Sequence, residues 1–213
     1  MTTHVLVFTV ICDGTSDRIF TSIFEWLLDQ KLGGAPFLVG MAEALPPAGD
    51  GLAARVQYAQ QAYSSDVLLL HRDSEKESWT DRVAEVEAAM SATDLTYWIP
   101  VVPVRMTEAW LLHDLNAIRR AAGNPNGSGS LQLPKRARWE SEPDPKQKLF
   151  SALRSASELH GRRLAKFDVH SARARLTNLI DDFSYLRGLP SFDDFESRLD
   201  SILEKLKHAN VYT

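Results

Sequence analysis

The chain has 213 residues, of which 44% are hydrophobic and 24% charged, enough to bury a core without disulfides or metals and unlike any disordered, collagenous, coiled-coil or solenoid sequence. Its single cysteine, Cys12, excludes an internal bridge and any Cys-rich zinc site, and points to a reducing, cytoplasmic compartment. The net charge of −4 conceals an asymmetry, because between Leu131 and Arg175 eleven Lys or Arg face five Asp or Glu, while the remainder is acidic.

The first eleven residues, with Val5, Val7, Thr9, Val10 and Ile11, are rich in β-branched side chains and predict a strand buried on both faces, as in parallel sheets. The run lacks a basic leader and is broken by Thr9, so it is neither a signal peptide nor a membrane span. The segment Asp13-Gly14-Thr15-Ser16-Asp17 ends it, with Thr15 or Ser16 as the N-cap of a helix. Phe20, Ile23, Phe24, Leu27 and Leu28 then recur at helical spacing until Gly33-Gly34 stops the pattern. A short strand follows over 36–41, and a helix capped by Asp50 runs to about residue 62. The continuous apolar run at 66–71 predicts the centre of a parallel sheet. A helix over 79–91 with Ser78 as cap and a strand over 96–104 complete the series, Pro100 and Pro103 arguing for a sheet edge or an early exit of that strand.

This alternation predicts an α/β fold, a parallel sheet flanked by helices whose loops at the carboxyl ends of the strands carry the chemistry. Residues 1–122 form that domain, with a helix over 107–122 closing it. Residues 123–144, holding Asn124-Pro125-Asn126-Gly127-Ser128-Gly129-Ser130, read as a mobile basic loop. Residues 145–213 read as a C-terminal helical extension packed on the same core, opening with a helix from Pro145 to about residue 159 and ending with one capped by Ser191.

Several chemistries are excluded. No Gly-rich phosphate loop followed by Lys, no dinucleotide fingerprint and no G-x-S-x-G elbow occurs. His71-Arg72-Asp73 has the form of a kinase catalytic loop, yet Ser78 stands where a metal-binding Asn belongs and no strand lysine precedes it. What remains is a set of acidic residues following two central strands: Asp13 and Asp17 after the first, Asp73 and Glu75 after the third. Carboxylates in such positions suit Mg²⁺ or Mn²⁺ bound against a phosphate. Taken singly, each also suits a turn, a cap or a helix dipole.

The order of these pieces carries a resemblance. Asp13-Gly14-Thr15-Ser16-Asp17, His71-Arg72-Asp73-Ser74-Glu75, Glu108-Ala109-Trp110-Leu111-Leu112 and Asp144-Pro145-Lys146 resemble a bacterial family of unknown function built on a Toprim-like domain, related to the overcoming-lysogenization-defect nucleases. The resemblance implies a Mg²⁺-dependent (or Mn²⁺-dependent) nuclease in bacterial defence against phage or mobile DNA. Carried over by position, it places Asp13 at the family's acid/base and His71 and Asp73 at its metal-binding pair; with the acidic cluster, the candidate catalytic residues are Asp13, Asp73 and the supporting Glu108, and the candidate metal ligands Asp13, Asp17, His71, Asp73 and Glu75. The resemblance also implies DNA or RNA as substrate; a partner ATPase is a candidate that the sequence does not reveal, and the interrupted N-terminal apolar run gives no membrane role. Asp13 replaces the Glu usual in the family, and His71 replaces the first Asp of an Asp-x-Asp pair. His71, together with an overall acidic charge that does not favour non-specific DNA binding, supports the alternative of a catalytically degenerate Toprim-like module that recognises a protein or nucleic acid without cutting it.

The basic segment adds a candidate phosphate path across Arg72, Lys135, Arg136, Arg138, Lys146 and Lys148. Trp139 lies among these cations, where it either stacks on a base or plugs its loop onto the core.

Overall fold

The computed structural model describes residues 4–12, 19–91 and 93–212. Strand β1 (Leu6–Cys12) pairs in parallel with β2 (Phe37–Met41) on one side and with β3 (Val67–His71) on the other, and β3 carries β4 (Trp98–Val101) on its far edge. The sheet order is therefore β2-β1-β3-β4. The parallel α/β fold with helices on both faces follows from the buried central strands, since every residue of β3 is buried.

Alternation along the strands divides the core. Leu6, Phe8, Val10, Val67, Leu69, Ile99 and Val101 point to one face, against Phe20, Ile23, Phe24, Leu27 and Leu28 of α1 (Ile19–Lys31). Ile11, Leu68 and Leu70 point to the other, against α2 (Leu52–Ala62) and α3 (Trp79–Met90) through Val56, Ala59, Val86 and Met90. Helix α1 ends where predicted, with Gly33 and Gly34 at φ of 57° and 93°.

The helical extension packs on the α1 face. It comprises α5 (Pro145–Ala156), α6 (Gly161–Ala165), α7 (Val169–Leu176) and α8 (Pro190–His208), and α4 (Leu115–Ala121), which precedes it in the chain, packs against α5 and α7. The apolar side chains of these helices turn inward, where Ile118, Leu149, Leu153, Leu176, Phe192, Phe195 and Leu199 join β1, β3 and α1 in one hydrophobic cluster. Among the described residues no helix is long and apolar enough to cross a membrane.

Several predicted boundaries change. The fourth strand is confined to Trp98–Val101, an edge strand with Pro100 inside it; beyond Val101 the chain stays bonded to the turn after β3 through the Pro103 and Arg105 carbonyls but no longer as a regular strand. The helix expected over 107–122 is two pieces, a 3₁₀ segment over Thr107–Leu111 and then α4, because the Asp114 side chain accepts a hydrogen bond from the Ala117 amide and starts a new helix. Asp50 does not cap α2; it ends a 3₁₀ turn over Ala48–Asp50, and Gly51 occupies the N-cap. Helix α5 stops at Ala156. Ser191 does not cap α8, which starts at Pro190. It lies within the first turn and donates its hydroxyl to Glu140. Ser78 occupies the N-cap position of α3, but its hydroxyl meets Thr80 and makes no cap hydrogen bond.

Candidate functional site

Chain order reverses between β1 and β3, since β1 connects outward to β2 while β3 connects outward to β4. In open parallel sheets the crevice beyond the carboxyl ends of two such strands is where ligands bind. Here Cys12 and His71 are register partners at those ends. Asp13 and Asp17, expected to supply a catalytic acid and a ligand, lie outside the described residues.

His71 points to the α1 face, its side chain 0% exposed, with its ring 5.3 Å from that of Phe20. Its Nε2 lies 2.7 Å from the Thr107 hydroxyl. That hydroxyl donates in turn to Asp73 Oδ1 at 3.2 Å, and the Thr107 amide donates to the same oxygen at 3.0 Å. A hydroxyl that donates to a carboxylate accepts at its lone pair, so the network assigns the proton to His71 Nε2. His71, Thr107 and Asp73 thus form a relay from the buried face of the sheet to a carboxylate 25% exposed. Thr107 is itself fully buried. Sequence reading places Thr107 at the start of a helix and beside Glu108 but assigns it no role at the site.

The turn after β3 is tightly built. Ser74 is fully buried, its Oγ accepts from the Arg105 amide at 2.6 Å and its amide donates to the Pro103 carbonyl at 3.2 Å. The Glu75 amide donates to the Arg105 carbonyl at 2.8 Å. Glu75 and Arg105 both take left-handed backbone, with φ of 53° and 61°. Two non-glycine residues in that region, cross-linked to each other, hold the strand-end turn in one shape.

On the opposite face α2 contributes Arg55, 5% exposed, whose Nη2 donates to the Cys12 carbonyl at 2.6 Å. This puts a guanidinium at the carboxyl end of β1. A signal existed: Leu52, Arg55, Val56 and Ala59 fall at i, i+3, i+4 and i+7, so one position of an apolar stripe is an arginine. Such a placement calls for a buried partner.

The remaining candidates disperse. Glu108 is 3% exposed and its Oε1 lies 2.8 Å from Nε of Arg173 on α7. It is neither an exposed surface residue nor an open carboxylate. Glu75 is exposed. Arg72 is ion-paired with Glu85, which also holds Arg82. Lys146 and Lys148 are half-buried on the first turn of α5, where Asp144 caps the Gln147 amide at 2.8 Å. Lys135, Arg136 and Arg138 are exposed in and around a 3₁₀ turn, and Arg136 donates to the Arg187 carbonyl. Trp139 is a plug: it is 6% exposed and its Nε1 donates to the Pro134 carbonyl at 3.1 Å, so its indole is not displayed for base stacking. Trp139 and Leu131 belong to the central cluster, which anchors the 123–144 segment at two points.

The fit of a divalent metal to the described residues is poor. No group of three or more His, Cys, Asp or Glu among them could hold an ion. His71 is enclosed with its Nε2 on Thr107, and Glu108 faces Arg173, which leaves Asp73 as the one sequence-predicted ligand among them that is both partly exposed and fixed in orientation. Neither a family model, nor a curated protein, nor a solved structure matches the chain.

Proposed function

We propose that this chain is a Toprim-like module that binds a nucleic acid without cutting it. The observation that supports this reading is His71. At the position where the resemblance calls for an acidic metal ligand there is an imidazole, fully enclosed, packed on Phe20 and hydrogen-bonded to Thr107. A ring nitrogen committed to a buried hydroxyl is a structural member of the sheet end, and a hard cation such as Mg²⁺ prefers carboxylate oxygen. The basic surface from Lys135 to Arg138 offers phosphate contacts in an otherwise acidic chain.

A second reading, a metal-dependent phosphodiester-processing enzyme, is favoured by the Asp73 carboxylate, partly exposed at the reversal of strand order and oriented by two hydrogen bonds from Thr107. One experiment separates the two. Purified protein is incubated with single- and double-stranded DNA and RNA in Mg²⁺ or Mn²⁺, alongside Asp73→Asn. The binding-module reading expects retention of nucleic acid in a binding assay and no product from either protein. Cleavage by the natural sequence that is lost in Asp73→Asn overturns it in favour of the enzyme.

A further inference from the structure

An open groove of about 510 Å³ lies between the start of α4 and the 128–139 segment. Its apolar lining comes from Leu112, Leu115, Leu133 and Trp139, and its cations are Arg119 and Lys135. No carboxylate lines it among the described residues. Leu115 is 45% exposed there, an apolar side chain left facing water on the first turn of a helix. Arg119 donates from Nη2 to the Gly129 carbonyl at 3.1 Å, while its buried Nε has no hydrogen-bond partner among the described residues.

The groove is also flanked by aromatic rings. His113 lines it, and the His113 ring lies 5.9 Å from that of Trp139 and 5.7 Å from that of Tyr185, the latter pair tilted by 31°. Tyr185 is 58% exposed. It therefore presents ring surface at the outer end of a three-ring series whose inner members are fixed: Trp139 by its bond to Pro134, His113 by contacts to the Trp110 and Asp182 carbonyls at 3.0 and 3.3 Å. Exposed ring and apolar surface next to Lys135 and to Arg119, which also feels the Glu158 carboxylate behind the groove, is the pairing that unpaired nucleotides require, a face for the base and positive charge for the phosphate. A duplex keeps its bases stacked internally and would leave the ring and the apolar floor unused.

From this placement we propose that the groove bordered by Tyr185, Leu115, Arg119 and Lys135 is a binding site for single-stranded nucleic acid. A base lies over Tyr185 and Leu115, and the adjoining phosphates meet Lys135 and Arg119. The inference rests on the nucleic-acid-binding reading above and specifies both the strand state and the surface, which is separate from the sheet crevice. The exposed Arg138 and Arg136 continue the positive charge beyond Lys135.

The test is fluorescence anisotropy with a labelled oligo(dT) of about 12 nucleotides and with a duplex of equal length, over a series of salt concentrations. Tyr185→Ala and Leu115→Ser alter exposed side chains, and circular dichroism with thermal melting checks that each still folds. Expected results are preference for the single strand, affinity lowered about tenfold in Tyr185→Ala, and a log–log salt slope reduced by about 0.7 in Lys135→Ala. If the natural sequence binds oligo(dT) but Tyr185→Ala and Lys135→Ala leave affinity and slope unchanged, the groove is overturned while the nucleic-acid reading stands. Tighter binding of the duplex also overturns the groove. If the natural sequence binds neither probe, both readings fall.

Discussion

Glu108 and Arg173 meet 2.8 Å apart in the interior, a carboxylate from the 3₁₀ segment behind Asp73 and a guanidinium from α7 of the extension. The side chains are 3% and 10% exposed. This ion pair ties the extension to the segment that orients the candidate site, since Thr107 is the residue before Glu108. Removing one member of a buried pair leaves the other charge desolvated, which costs about 3–5 kcal/mol. Glu108→Gln is therefore expected to lower the urea midpoint sharply at an unchanged m-value. The double variant Glu108→Gln/Arg173→Met should recover part of the loss, because it removes both charges. Equal stability of Glu108→Gln and the natural sequence would show that the pair does not bind the extension to the site.

The Thr107 hydroxyl supports two side chains at once, His71 at 2.7 Å and Asp73 at 3.2 Å. Thr107→Val keeps the shape and the backbone donor but deletes the hydroxyl, leaving His71 Nε2 without that partner. The expected loss is about 1–3 kcal/mol in chemical denaturation, with Thr107→Ser restoring most of it. A valine variant as stable as the natural sequence would mean that the relay is incidental.

These contacts mark where sequence reading stops. Strand β3 is legible because a strand buried on both faces must be a continuous apolar run, and Asp73 is legible because it follows that run. The break before α4 lay in Asp114, a capping residue inside a segment of otherwise helical character. The 123–144 segment has the Gly, Ser and Asn content of a mobile loop, but its partners lie far along the chain. Asn124 donates to the Ala156 carbonyl at 3.0 Å, and Glu140 receives the Ser191 hydroxyl. Such pairings carry no periodic signature. The Glu108–Arg173 ion pair is equally silent in sequence, since neither residue falls in a local pattern that names the other.

His113 gives a pH dependence whose sign can be worked out. Burial is the largest influence on it and pushes its pKa below the usual 6.5, against the Trp110 and Asp182 carbonyls and the Asp114 and Asp182 carboxylates, which push it up. The unfolded chain therefore takes up a proton at higher pH than the folded chain does. The stability associated with neutral His113 is complete above about pH 6.5 and declines as the pH falls below it toward the folded value. Urea midpoints at pH 7.5, 6.5 and 5.5 should fall in that order for the natural sequence and fall less for His113→Gln. Parallel profiles for the two proteins would place the acid sensitivity elsewhere.

Glu158 holds the Gly-rich loop from outside the core. Its Oε1 accepts from the Ser128 and Gly129 amides at 2.9 and 2.8 Å, and its own backbone is left-handed at φ of 50°. The Gly129 amide is the first cause of a lowered pKa, followed by the Asn124 side chain and the Ser128 amide. A carboxylate whose folded pKa lies below its unfolded value of about 4.5 contributes above that value and loses its contribution as the pH falls through the folded one. A Cβ on Gly129 would sit 3.2 Å from Glu158 Oε1, closer than the carboxylate readily tolerates, so glycine permits this approach. Because the contact is at the surface, Glu158→Ala is expected to leave the global melting temperature nearly unchanged. Its effect should be local: hydrogen-exchange protection of the Ser128 and Gly129 amides falls, while that of α5 and α7 amides is preserved. Unchanged protection at Ser128 and Gly129 would show that the segment keeps its shape without the carboxylate, and that the Asn124 bond to Ala156 and the buried Trp139 suffice to hold it.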